Sequence, residues 1–214
     1  MKEFERFEKA LRLIERYESY LFRRALGIAL IVCGVIFPIT AFTVLNAQSI
    51  AKILNIGVEV FLTFVPGVIL LIGLVIIIYS FTSAHVITSR MRKDSFWKAF
   101  PHMTVIFLVW FLSFYLTNYV PDPFSSVSSL WAGGVASSIT YLIMRREQGD
   151  WNYPELLIVS IICIVSSLPL VAFVGSQIVE TIIFIIFSIS FIAGGFYSII
   201  NASKVLDQSK ETSN

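Results

Sequence analysis

Six apolar runs, at about 25–45, 57–83, 101–120, 126–144, 155–174 and 178–202, limit what this chain can become. Each is close to the ~20 residues that a helix needs to cross a hydrocarbon core of ~30 Å. Lipid offers backbone groups no hydrogen-bond partners, so a spanning segment must satisfy them within its own helix. Of 214 residues 57% are hydrophobic and only 14% charged, and the mean hydropathy is +0.82, far from soluble averages. The expected fold class is an all-α integral membrane protein. Six transmembrane helices are expected as three hairpins, preceded by a cytoplasmic amphipathic helix (1–24) and followed by a short polar cytoplasmic tail (203–214).

The cations give the orientation. Seven lysines and arginines precede the first run, four lie in Arg90–Lys98, two at Arg145–Arg146 and two in the tail, leaving only Lys52 on the other side of an even number of spans. The positive-inside rule makes the 15-residue side cytoplasmic, with both termini there and the plasma membrane as the expected location. The net charge of +2 is too small and too scattered to suggest a nucleic-acid partner. The opening residues are too charged for a signal peptide, so the first apolar run is expected to stay as an anchor. Cys33 and Cys163 lie within apolar runs and read as free thiols.

In the N-terminal segment Phe4, Phe7, Leu11, Ile14, Tyr17 and Leu21 recur at steps of three and four, the spacing of an amphipathic helix. Its stripe suits the membrane surface, the underside of the bundle or a partner helix. Barely three heptads, interrupted by Glu18, argue against a strong coiled coil.

Small residues mark the fourth and sixth runs. Ser125, Ser129, Gly133 and Ser137 recur every four residues, as do Ser190, Gly194, Ser198 and Ala202. Such strips let helix backbones approach closely, and Ser129, Gly133, Ser137, Ser190, Gly194 and Ser198 are accordingly assigned to helix packing, with these two helices as expected neighbours. Pro38, Pro66 and Pro169 predict kinks. A faint internal likeness pairs Glu59 with Glu180 and Gly73 with Gly194 at a shift of 121, but few other positions match and apolar helices often agree by chance, so the runs read as three hairpins in series rather than a duplication.

Glu59 and Glu180 are the candidate ion or proton site, since an acid within a spanning run is a functional hypothesis by default. Each precedes roughly 20 apolar residues, which puts it at the outer interface, where a helix N-terminus favours a carboxylate without any function. Asn46, Asn118 and Gln177 are the polar residues expected nearby. His85 and His102 stand at the inner ends of adjacent spans, too near the surface to make haem or metal ligation attractive. No H-E-x-x-H, G-x-S-x-G, C-x-x-C or phosphate-loop pattern occurs, so no catalysis, cofactor or metal is implied. The expected role is a non-catalytic subunit or assembly partner of a membrane complex. Its partners are the lipid bilayer and, through small-residue faces, other membrane subunits or further copies of the chain. The alternative is a small transporter or channel for an ion or small solute.

Overall fold

Neither glycine nor proline occurs before Gly27, and nothing in the early sequence stops a helix. The amphipathic segment and the first apolar run are therefore continuous: α1 (Lys2–Leu45) is one helix of 44 residues. This is seen in a computed structural model, which describes residues 2–92, 100–121, 124–148, 153–174 and 176–211. Lys93, Lys98 and Asn214 lie outside the described residues, as do the side chains of Arg90, His102, Asn118, Arg146 and Gln177.

A short helix, α2 (Ala47–Leu54), follows and ends at Asn55, whose left-handed φ of 56° turns its N–H back to the carbonyls of Ala51 and Lys52. Ala47 and Ala51 pack on Phe61 of α3 (Val58–Arg92). Then come α4 (Phe100–Leu116), a 3-10 turn (Thr117–Tyr119), α5 (Ser125–Gln148), α6 (Pro154–Val171) and α7 (Gln177–Glu211). No strand occurs among the described residues. Five stretches are long and apolar enough to span a membrane: Leu13–Leu45, Val58–Thr88, Val127–Arg145, Pro154–Val171 and Ile178–Lys204. The apolar part of α4, Thr104–Leu116, is shorter.

The central contact is α1 with α7, and glycines make it possible. A Cβ on Gly195 would lie 2.6 Å from the Gly27 carbonyl oxygen, and one on Gly27 would lie 2.7 Å from the Gly195 carbonyl oxygen. The two backbones touch, which only glycine allows. Nearer the other end, the Ser188 hydroxyl donates to the Gly34 carbonyl at 2.6 Å.

Around this pair, α3 packs against α1, α6 and α5 against α7, and α4 against α5. Rings fill the middle. Phe37 of α1 stacks on Phe114 of α4 at 4.9 Å, and Phe187 on Phe191 of α7 at 4.3 Å; Trp110 meets Phe191 edge-on at 5.7 Å. Gly133 of α5 makes room for these rings, since its Cβ would fall 2.9 Å from Phe187. Interhelical hydrogen bonds satisfy neighbouring polar groups: Trp110 Nε1 donates to Thr140, Trp131 Nε1 to Ser167, and Ser138 pairs with Ser160.

The sixth run's small strip does not face the fourth. Gly194 turns to Val159 of α6, Ser198 reaches both α1 and α6, and α5 instead receives the bulky Phe187 and Phe191. The periodicity reveals the small face of a helix, while the partner's registry decides what fills it.

Candidate functional site

Four polar side chains from three helices meet at one end of the bundle. Pro154 starts α6 with its φ already helical, which places Glu155 in the first turn, where the helix dipole favours an acid. Gly194 lets α6 approach one side of α7, and Gly195 lets α1 approach the other. One turn beyond Gly194, Ser198 is held between them. Its hydroxyl oxygen lies 2.8 Å from Glu155 Oε1 and 2.9 Å from the Arg23 carbonyl oxygen.

Tyr153, Glu155 and Ser198 are fully buried. The Arg23 guanidinium carbon stands 5.3 Å from the centroid of the Tyr153 ring, within cation–π range. Burial holds the Tyr153 phenol well above its ordinary range; the Arg23 charge opposes that rise and the Glu155 carboxylate adds to it. Glu155 Oε2 has no hydrogen-bond partner although it is buried, an arrangement that is costly in apolar surroundings. Chemically, the group is an interhelical clasp built around one acid. The Ser198 hydroxyl has a single proton and two acceptors, so both short contacts become hydrogen bonds together only when the side chain at 155 supplies a second hydrogen.

The residues singled out from sequence lie elsewhere or act separately. Glu59 is exposed in the first turn of α3, at the opposite end of the bundle. Glu180, half-buried in the first turn of α7, lines a shallow cavity of about 210 Å³ with Leu45, Ser125, Ile183 and Phe184. Among the described residues α3 makes no contact with α7, so the structure does not bring these two acids together. The Asn46 amide donates to the Phe42 carbonyl at 2.9 Å.

Of the residues assigned to packing, Ser129 is half-buried and Gly133 lies beneath Phe187 and Phe191. Ser137 is fully buried with its hydroxyl unpartnered, Ser190 donates to the Ile186 carbonyl, and Gly194 abuts Val159. His85 is half-buried on α3, which does not touch α4 among the described residues. No group of three His, Cys, Asp or Glu side chains among them could hold a metal ion. Cys33 and Cys163 are free thiols on α1 and α6.

In the sequence Arg23 is one of the seven cations before the first apolar run, and Tyr153-Pro154-Glu155 is a helix-start pattern. The available signal was an acid directly after proline at the head of an apolar run. What it could not supply was the serine and arginine that two other helices bring to it. Comparison with protein-family models, with curated proteins and with solved structures finds no match for this chain.

Proposed function

We propose that this chain, an integral membrane protein by its long apolar helices, crosses the plasma membrane six times and serves as a non-catalytic subunit or assembly partner of a larger membrane complex. The crossing beyond the five long apolar stretches is α4, third in chain order. Its 17 residues and the following 3-10 turn reach about 31 Å, enough for the hydrocarbon core. Connectivity supports this count: Ala84 of α3 packs beside Leu21 and Ala25 at the Arg23 end, whereas Ser125 starts α5 beside Leu45 and Glu180 at the other. Among the described residues, α4 and its 3-10 turn are what lies between them to carry the chain across. With six crossings both termini fall on the cation-rich, cytoplasmic side. A cysteine introduced at Gln148, in a Cys33→Ser, Cys163→Ser background, is then expected to resist an impermeant thiol reagent added to intact cells. Labelling from outside would reverse the orientation.

The observation that carries the assembly reading is the filled interior. Rings from α1, α4 and α7 close the middle of the bundle, with Glu155 in the first turn of α6 at one end and Glu180 in the first turn of α7 at the other. Meanwhile α3 presents Phe64, Val68, Leu71, Val75 and Tyr79 outward, an apolar face that lipid or neighbouring helices must cover.

The second reading, a small transporter or channel for an ion or solute, draws support from the unpartnered buried oxygen of Glu155 and from Glu180 at the outer cavity. Flux through vesicles reconstituted with the purified protein separates the two. The assembly reading predicts no flux above protein-free vesicles, and no change on Glu59→Gln or Glu180→Gln beyond about 1 kcal/mol of stability, the size of a helix-terminus charge effect. Flux that Glu180→Gln abolishes while folding is kept would establish the transporter instead.

A further inference from the structure

The clasp between α1, α6 and α7 holds an acid that no neighbouring cation pairs. Glu155 is 0% exposed, and Tyr153, Leu156 and Val159 around it on the same helix end are as deeply buried. Among the described residues no ion pair reaches it, and its carboxyl makes one hydrogen-bonding contact, between Oε1 and Ser198. We infer that Glu155 is a proton-binding site: in the folded bundle its carboxyl carries a hydrogen on Oε1, and that hydrogen completes the clasp. The inference goes beyond the assembly reading and is independent of it.

The hydrogen count selects this state. Ser198 stands 2.8 Å from Glu155 Oε1 and 2.9 Å from the Arg23 carbonyl oxygen, and a backbone carbonyl can only accept. For both contacts to be hydrogen bonds, the serine proton goes to Arg23 and the hydrogen between Glu155 and Ser198 comes from the acid. With a carboxylate, one of the two contacts would set oxygen against oxygen with no hydrogen between them, and Oε2 would hold its share of the charge without any donor. With the neutral acid both contacts are satisfied, and Oε2 is an uncharged carbonyl oxygen whose lack of a partner costs far less. A buried acid without an ion-pair partner takes up a proton rather than keep the charge.

The surrounding groups leave that choice in place. From α1 the Arg23 guanidinium faces the Tyr153 ring at 5.3 Å, without ion-pairing to the carboxyl. Glu18, the other buried acid among the described residues, lies on the α3 side of α1 with Leu21 and Ala25. From α5 Tyr141 belongs to the same core cluster as Tyr153, and α7 brings Ser198 and Gly194. Arg24, Arg145 and Lys204 are exposed. Loss of the proton would leave one hydrogen for two acceptors and untie α6 from the α1–α7 pair at this end.

Protons counted on unfolding test this directly. The full chain is unfolded at neutral pH in weakly buffered mixed micelles containing an indicator dye. The parent is expected to release about one proton per chain more than Glu155→Gln, since a glutamate freed into solvent ionises there and a glutamine has no proton to lose. Infrared spectra of the folded chain at the same pH are expected to show the carbonyl band of a neutral carboxylic acid that shifts in heavy water, disappears in Glu155→Gln and persists in Glu180→Gln. Should the glutamine variant fail to fold, Ser198→Ala keeps the acid and removes its partner, and the same band is expected to move to the higher frequency of an acid without that hydrogen bond. Equal proton release by parent and Glu155→Gln would overturn the inference. So would the absence of any such band, or a band that neither Glu155→Gln nor Ser198→Ala changes.

Discussion

Gly195→Leu is expected to be the most damaging single change in the bundle, lowering the unfolding free energy by about 3 kcal/mol or more. At most crossings a side chain can turn aside to admit extra carbon. Here the obstacle is the Gly27 carbonyl oxygen, 2.6 Å from where a Cβ would begin, with Ile31 Cγ1 at the same distance. The backbones must separate, and with them the contacts that bring Ser188 to Gly34 and Ser198 to Arg23. Gly133→Leu and Gly194→Leu are expected to follow with smaller losses of about 1–3 kcal/mol, because the atoms they meet belong to the side chains of Phe187 and Val159. Gly67, exposed on α3 with nothing within 4 Å of its would-be Cβ, is the control. Gly67→Leu is expected to change stability by less than about 1 kcal/mol, in the stabilising direction that helix propensity gives. Denaturant titrations in mixed micelles measure all four. A Gly195→Leu protein that unfolds like its parent would mean that α1 and α7 do not cross at Gly27.

Glu155→Ala is expected to cost about 2–4 kcal/mol, combining the cavity left by a buried side chain with a lost hydrogen bond. The fully buried carboxylate joins α6 to α7 through Ser198, and the serine in turn reaches the backbone of α1 at Arg23. Glu155→Gln is expected to cost less, under about 1.5 kcal/mol, because the amide can donate to the Ser198 hydroxyl and leave the serine proton for the Arg23 carbonyl. The comparison is informative through its order. A glutamine variant as unstable as the alanine variant would show that the clasp depends on negative charge near Arg23 rather than on hydrogen count.

The five long apolar helices were legible in the sequence because the bilayer constrains them one at a time: length and hydropathy identify a spanning helix without reference to its neighbours. The close approaches at Gly133 and Gly194 were legible for a similar reason, since small residues at helical spacing mark a face by themselves. What covers that face was not, and Gly194 meets Val159 of α6 rather than any residue of α5. The continuity of α1 depended on an absence, the lack of any breaker before Gly27, that a change from charged to apolar composition at residue 24 obscures. The clasp was the least legible part. Arg23, Glu155 and Ser198 are separated by more than 130 and 40 positions along the chain, and each has an ordinary local explanation: a positive-inside cation, a helix-start acid and a packing serine. Only the crossings at Gly194 and Gly195 make them one group.

The assembly reading is tested most directly by the native mass of the tagged chain after gentle extraction from its own membranes. The account predicts a stable complex in which other membrane subunits accompany the 24.1 kDa chain in fixed ratio. Recovery of the chain alone, or only as multiples of its own mass, under conditions in which it remains folded, would contradict it.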